Sequence, residues 1–98
     1  MSVAASGVWQ KNPALAWREI DEETVIISPG ESMMHELNDT GSLVWRNIDG
    51  HRTAEQLARL LVERYEVTQE IALEDTLSLL EELSQRKLLL PAEGDAVR

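Results

Sequence analysis

The chain has no cysteine, and only two of its 98 residues are histidines. Without cysteine there can be no disulfide, thiolate metal ligand, cysteine nucleophile or iron–sulfur cluster. This absence fits a reducing compartment, and we expect a cytoplasmic protein. Two histidines alone cannot form a zinc site, so we expect no metal and no cofactor.

Basic residues are scarce as well. Nine lysines and arginines stand against eighteen aspartates and glutamates, which gives a formal net charge of −9. Such a surface repels the phosphate backbone, so we expect no general nucleic-acid role. The acidity favours solubility or a basic partner.

Long hydrophobic runs are also missing. Apolar runs such as 25–27 and 88–90 are far shorter than the ~20 residues that span a bilayer. The N-terminus lacks the basic and apolar regions of a signal peptide. We therefore expect a soluble protein with no membrane contact.

The composition predicts one domain between two tails. Residues 1–12 are small and polar apart from Val8 and Trp9, and we expect a flexible N-terminal tail there. Residues 92–98 are expected to form a flexible C-terminal tail. The domain itself is expected to span residues 13–91.

The first third of the domain is typical of β-structure. Thr24–Ile27 is β-branched throughout, which indicates a strand. Leu15–Ile20 is a plausible partner strand before it, and Met33–Leu37 is expected to form a third short strand after the Pro29–Gly30 break. Short loops favour a three-stranded antiparallel meander.

The remainder is typical of three helices. Asn38 or Asp39 can cap the first, which we expect to end near the Asp49–Gly50 pair. Thr53 and Gln56 form a capping-box pattern for the second. Thr68 can cap a third and longest helix that reaches about Lys87. The expected fold class is α+β, with a winged-helix-like order of a three-stranded antiparallel sheet followed by three helices.

The third helix has more apolar surface than one core face needs. Besides its core stripe it carries a second stripe of roughly Leu73, Leu77 and Leu80. These leucines must meet either the sheet or a partner, and the pattern leaves both outcomes open.

No catalytic motif is complete. His35-Glu36 begins a zincin-like motif, but the second histidine, four residues on, is replaced by Asp39. The internal glycines stand alone, so no phosphate-cradling loop is present. We expect a protein that is not an enzyme and acts by binding.

Two other binding roles remain as alternatives. The tandem helices around Thr68 could belong to a winged-helix DNA reader, although the third helix begins with Glu70, Glu74 and Asp75, which disfavour DNA. A structural module that dimerises through the third strand or the Leu73 stripe is the other alternative.

One segment resembles a known family. Leu37-Asn38-Asp39-Thr40-Gly41, with Val44-Trp45, Ile48-Asp49-Gly50 and Arg52-Thr53 after it, resembles the PqqD family of small proteins of pyrroloquinoline quinone (PQQ) biosynthesis. The second half of that pattern is matched by Leu57, Leu61, Tyr65, Glu74-Asp75, Leu80, Leu83 and Leu88-Leu89. The resemblance covers about residues 13–90.

The resemblance implies a RiPP recognition element. Such proteins bind the leader segment of a ribosomally made precursor peptide and present it to a modifying enzyme such as a radical SAM protein. It implies that the peptide is held as an added strand beside the third strand, against the last helix. The peptide-binding residues would then be Met33, Met34, His35, Glu36, Leu73, Leu77 and Leu80.

The sequence also departs from the PQQ members of the family. The segment between the Pro29-Gly30 turn and Leu37-Asn38 is longer than in those members. Lys87-Leu88 stands where they tend to have glycine–tryptophan. The pathway could be PQQ biosynthesis or another peptide-modification system. A homodimer also stays open as a partner.

Overall fold

A computed structural model describes residues 7–28 and 33–92. The elements, in chain order, are β1 (Trp9–Lys11), β2 (Ala16–Ile20), β3 (Glu23–Ser28), β4 (Met33–Leu37), α1 (Asp39–Arg46), α2 (Ala54–Arg64), α3 (Gln69–Gln85) and β5 (Leu89–Pro91). The predicted α+β class is confirmed, with a three-stranded antiparallel sheet that precedes three helices.

The main sheet has the order β2-β3-β4, and both pairings are antiparallel. Ile26 at its centre pairs with Trp17 on one side and His35 on the other, and its side chain has no exposed surface. Because successive strand residues point to opposite faces, this register fixes which face meets the helices. The helices therefore cover one face of the sheet only.

Side-chain caps begin the helices where the sequence indicates. The Asn38 side chain accepts a hydrogen bond from the Gly41 amide at 2.9 Å. Thr53 and Gln56 form both bonds of the capping box. Gly50 has φ +87°, but it lies in the α1–α2 loop beyond the cap at Asn47, so it shapes the loop and is not the residue that ends α1.

The core lies between the helices and the inner face of the sheet. Its fully buried side chains include Trp45, Ile26, Leu57, Leu80 and Leu88. Every element from β3 to β5 except β4 contributes a fully or almost fully buried hydrophobic residue. One continuous cluster therefore holds the sheet and all three helices together.

The N-terminal segment differs from the expected tail. Trp9–Lys11 forms strand β1, which pairs antiparallel with β5, and Trp9 is buried. Asn12 continues the contact, since its backbone N–H donates to the Leu88 carbonyl at 3.1 Å. Composition alone missed this pairing because the two strands lie about 80 positions apart in sequence. The tail predictions for residues 1–6 and 93–98 fall outside the described residues.

Lys11 gives this N-terminal strand a second point of attachment. Its Nζ donates to the Ile48 carbonyl at 2.8 Å and lies 5.2 Å and 5.6 Å from the ring centres of Trp17 and Trp45. Burial lowers the pKa of the Lys11 ammonium, while Asp49 and Glu19 oppose that shift. The contacts are those of a partly desolvated cation–π site.

Helix α3 ends in a Schellman motif. The Leu88 amide donates to the Leu83 carbonyl at 2.9 Å and the Lys87 amide donates to the Ser84 carbonyl at 3.0 Å. Lys87 has φ +64°, in the left-handed region that glycine adopts at lowest cost. The motif turns the chain so that Leu88 enters the core.

We expect the Lys87→Gly substitution to stabilise the fold by about 0.5–1 kcal/mol, because glycine avoids the Cβ strain of the left-handed position. Urea unfolding at neutral pH measures this change. Lys87→Ala, which removes the same charge and keeps a Cβ, should gain nothing. Equal effects of the two variants would contradict the backbone explanation.

We also expect Trp9→Ala to lower the free energy of unfolding by about 3 kcal/mol, as for other large-to-small changes of buried aromatic residues. The control is Gln10→Ala, at the exposed neighbouring position of the same strand. If residues 9–11 were only a loose tail, both variants would have the same urea midpoint of unfolding as the wild-type protein.

Candidate functional site

Strand β4 lies at the edge of the main sheet. It pairs with β3 through residues 33–37, and no other described strand pairs with its opposite side. An edge of this kind presents N–H and C=O groups that another extended chain can satisfy. The edge strand is thus the first component of a candidate binding site.

A groove of about 480 Å³ runs along this edge. Its strand wall is formed by His35, Glu36 and Leu37. The opposite wall is formed by the C-terminal half of α3, and Leu88 also lines the groove. The helix residues are Leu79, Glu82, Leu83 and Arg86. The groove therefore combines a free strand edge with an apolar helix flank.

Gly41 keeps one end of the groove narrow. A Cβ at this position would lie 3.2 Å from Asn38 Oδ1 and 3.4 Å from Leu37 Cβ. The first distance is shorter than an ordinary contact and the second is at its lower limit, so a side chain here would require Asn38 or Leu37 to shift by a few tenths of an ångström. The small residue explains how the end of β4 and the start of α1 can approach so closely.

Polar as well as apolar groups line the groove. Arg86 and Glu82 form an ion pair at 3.3 Å, and both side chains are about half exposed. His35 Nε2 is buried and has no hydrogen-bond partner among the described residues. The arrangement suits a partner with apolar side chains that also supplies its own backbone hydrogen bonds.

The four predicted strand residues lie together on β4 but divide between its two faces. His35 and Glu36 line the groove. Met33 shares the inner face with His35, whereas Met34 is 60% exposed and shares the outer face with Glu36. Of the four predicted residues, His35 has its side chain on the groove side, whereas Glu36 borders the groove with its side chain on the outer face.

The three predicted helix residues lie elsewhere on α3. Leu80 is fully buried in the core, and Leu73 and Leu77 are partly buried and pack against it. The leucines that line the groove are Leu79 and Leu83. Helical periodicity showed two apolar stripes but could not tell which of them faces β4. The spacing of Leu79, Leu83 and Arg86 is the signal that could have indicated the groove side.

Other kinds of site find no support in the described part of the chain. No group of three or more His, Asp or Glu side chains there is placed to hold a metal ion. No helix in residues 7–28 or 33–92 has the length and apolarity needed to cross a membrane. The edge and groove beside β4 are the features that stand out.

Comparison with known proteins gives one family match. Residues 23–89, more than two thirds of the chain, match the PqqD family, described as coenzyme PQQ synthesis protein D. This range includes β3, β4, all three helices and the start of β5. None of the proteins with curated descriptions matches the sequence significantly.

Solved structures share the fold. TbiB1, determined in complex with the TbiA(beta) leader peptide, is 23% identical with a TM-score of 0.75, and the match covers 90% of this chain and 99% of that one. Lasso peptide synthetase B1, complexed with its leader peptide, is 23% identical with a TM-score of 0.76, over 85% and 98% of the two chains.

A third structure comes from the family itself. It is the PqqD part of Methylobacterium extorquens PqqCD, described as a functional, stand-alone RiPP recognition element. It is 24% identical with a TM-score of 0.76, over 91% of this chain and 95% of that one. At this identity the structures establish the fold, and the sequence match establishes the family. The chain is a member of the PqqD family.

Proposed function

We propose that this protein binds the leader segment of a ribosomally made precursor peptide and presents it to a modifying enzyme, such as a radical SAM protein. The observation that carries the proposal is the unpaired edge of β4 beside an apolar groove. The protein itself acts without catalysis, in the cytoplasm where such peptides are made. The pathway is PQQ biosynthesis or a related peptide modification.

The relatives support this proposal. Two proteins of the same fold were determined with leader peptides bound, and a third is described as a RiPP recognition element. In this chain the peptide would pair with the free side of β4 and insert alternate side chains between His35 and the Leu79–Leu83 flank. Backbone pairing then supplies affinity, and the groove supplies specificity.

The binding residues of the proposal follow from this geometry. Met33, Met34, His35 and Glu36 offer their backbone groups, and His35 also contacts the peptide through its side chain. On α3 we assign the wall to Leu79 and Leu83. Leu73, Leu77 and Leu80 act indirectly, because they pack in or against the core that holds α3 in place.

Proline substitutions at adjacent β4 positions test the strand-addition model. Successive amides of an antiparallel edge strand point alternately toward the partner and away from it. Proline has no backbone N–H. Of Met34→Pro and His35→Pro, one variant therefore loses an N–H on the free edge of β4, and the other loses an N–H that bonds to β3. The first variant should stay folded and bind peptide at least about tenfold more weakly.

The probe is a synthetic leader peptide from a short open reading frame next to this protein's gene, with a scrambled sequence as the control. Calorimetry measures affinity and circular dichroism measures folding. A series of the same peptide, each member with one backbone N-methyl group, should show weaker binding when the methyl group is at every second position. Wild-type affinity in a folded proline variant, together with no period-two pattern, would contradict strand addition.

The position of the helix wall gives a separate prediction. Leu79→Ala should weaken leader binding about 5–30-fold, in the range of a buried contact residue of an interface. Leu73→Ala is the matched control, because both leucines are partly buried and pack against the same core. Similar stability losses are expected from both variants. Weaker binding by Leu73→Ala alone would place the wall on the other stripe.

A further inference from the structure

A second, smaller cavity adjoins one end of the groove. It has a volume of about 120 Å³ and lies between the first turns of α1, helix α2 and the middle of α3. Asn38, Gly41 and Leu79 line both cavities. We call this smaller cavity the side pocket. A peptide strand beside β4 would direct alternate side chains toward α3, so one near the Asn38 end of the groove would meet the side pocket.

The walls of the side pocket are largely apolar, with one buried hydroxyl among them. Val44 on α1, Leu61 on α2 and Leu79 on α3 supply the apolar surface. Thr76 on α3 is 1% exposed, and its Oγ1 has no hydrogen-bond partner among the described residues. A helical threonine can bond to the carbonyl one turn before it, and Thr76 does not. A buried hydroxyl without a partner costs free energy, so this one marks a place for a ligand group.

The other polar side chains of the side pocket are either paired or exposed. Asn38 Oδ1 accepts hydrogen bonds from the Gly41 amide at 2.9 Å and from the Thr40 hydroxyl at 3.1 Å. Asp75 is exposed at the surface. Within the described part of the chain, Thr76 is therefore the one polar side chain of this lining that is both buried and unpaired.

We propose that the side pocket is a subsite for one hydroxyl-bearing side chain of the bound peptide, a threonine or a serine. The proposal rests on the proposed function, because the same leader peptide supplies that side chain. The peptide hydroxyl pairs with Thr76 Oγ1, and its aliphatic carbons contact Val44 and Leu79. Bulk water does not reach this oxygen, and threonine has two favoured χ1 rotamers in a helix, so the Thr76 hydroxyl can turn toward a group that enters the pocket.

Other side chains fit this lining less well. The volume, about four times that of a water molecule in the liquid, suits a short side chain. Valine has the shape of threonine but leaves the Thr76 hydroxyl unpaired. A carboxylate would lie beside Asp75 on a protein of net charge −9. An ammonium group would pair with Asp75 at the exposed rim, because burial of a charge is costly. A hydroxyl both donates and accepts, so a single partner of its own kind satisfies it.

A double-mutant cycle between protein and peptide tests the subsite. The probe is the synthetic leader peptide, with each threonine replaced in turn by valine and each serine by alanine. In calorimetry with the wild-type protein, one of these replacements should weaken binding about five- to tenfold. With the Thr76→Val protein, the same replacement should change the affinity less than about twofold, because the partner of the hydroxyl is already gone.

The stability of the variant separates binding from folding. Thr76→Val removes an unpaired hydroxyl and keeps the shape of the side chain, so the urea midpoint of unfolding should stay the same or rise. Thr24→Val is the matched control. Thr24 is also buried, but its hydroxyl donates to Ser42 Oγ at 2.8 Å, so this variant should have a lower midpoint. A lower midpoint for Thr76→Val would mean that its hydroxyl has a partner within the fold, and would overturn the proposal.

The binding results also separate the subsite from the proposed function. The wild-type protein could bind the leader with no serine or threonine position coupled to Thr76, or the bound segment could contain neither residue. Either result would refute the subsite and leave the proposed function intact. No binding of the leader by the wild-type protein would refute both.

Discussion

The burial of Ile26 in the central strand β3 fixes both surfaces of this domain. Ile26 has no exposed surface and pairs with Trp17 and His35. Because side chains alternate along each strand, its position assigns every residue of the main sheet to the helix side or the outer side. A slip of one residue would expose Ile26 and bury Met34 and Glu36. The groove side and the opposite side of the sheet follow from this one register.

The short sheet of β1 and β5 holds the other wall of the groove. Leu88, just after the Schellman motif, is fully buried and also lines the groove. The pairing of β5 with β1 and the bond from the Asn12 amide to the Leu88 carbonyl secure this segment. These contacts tie β1 to the segment that follows α3. An N-terminal segment remote from the groove thus contributes to its shape.

Local patterns predicted the local parts of the fold well. The bounds of β4, 33–37, and the capping box of Thr53 and Gln56 agree with the structure because both depend on neighbouring residues. Local patterns could not predict the β1–β5 pairing or the apolar stripe of α3 that faces β4. They depend on contacts between distant segments, and the periodicity of α3 does not by itself decide which stripe faces β4. Leu79 and Leu83 therefore escaped a sequence analysis that found the correct helix.

The same division explains where sequence and structure disagreed about the candidate site. The edge strand could be located from the sequence because β-branched and turn residues mark strands and their ends. The groove wall could not, because α3 is apolar on more than half of its circumference and both stripes contact the core cluster. What separates them is position, because Leu79 and Leu83 line the groove beside β4, although Leu83 is nearly as buried as Leu80.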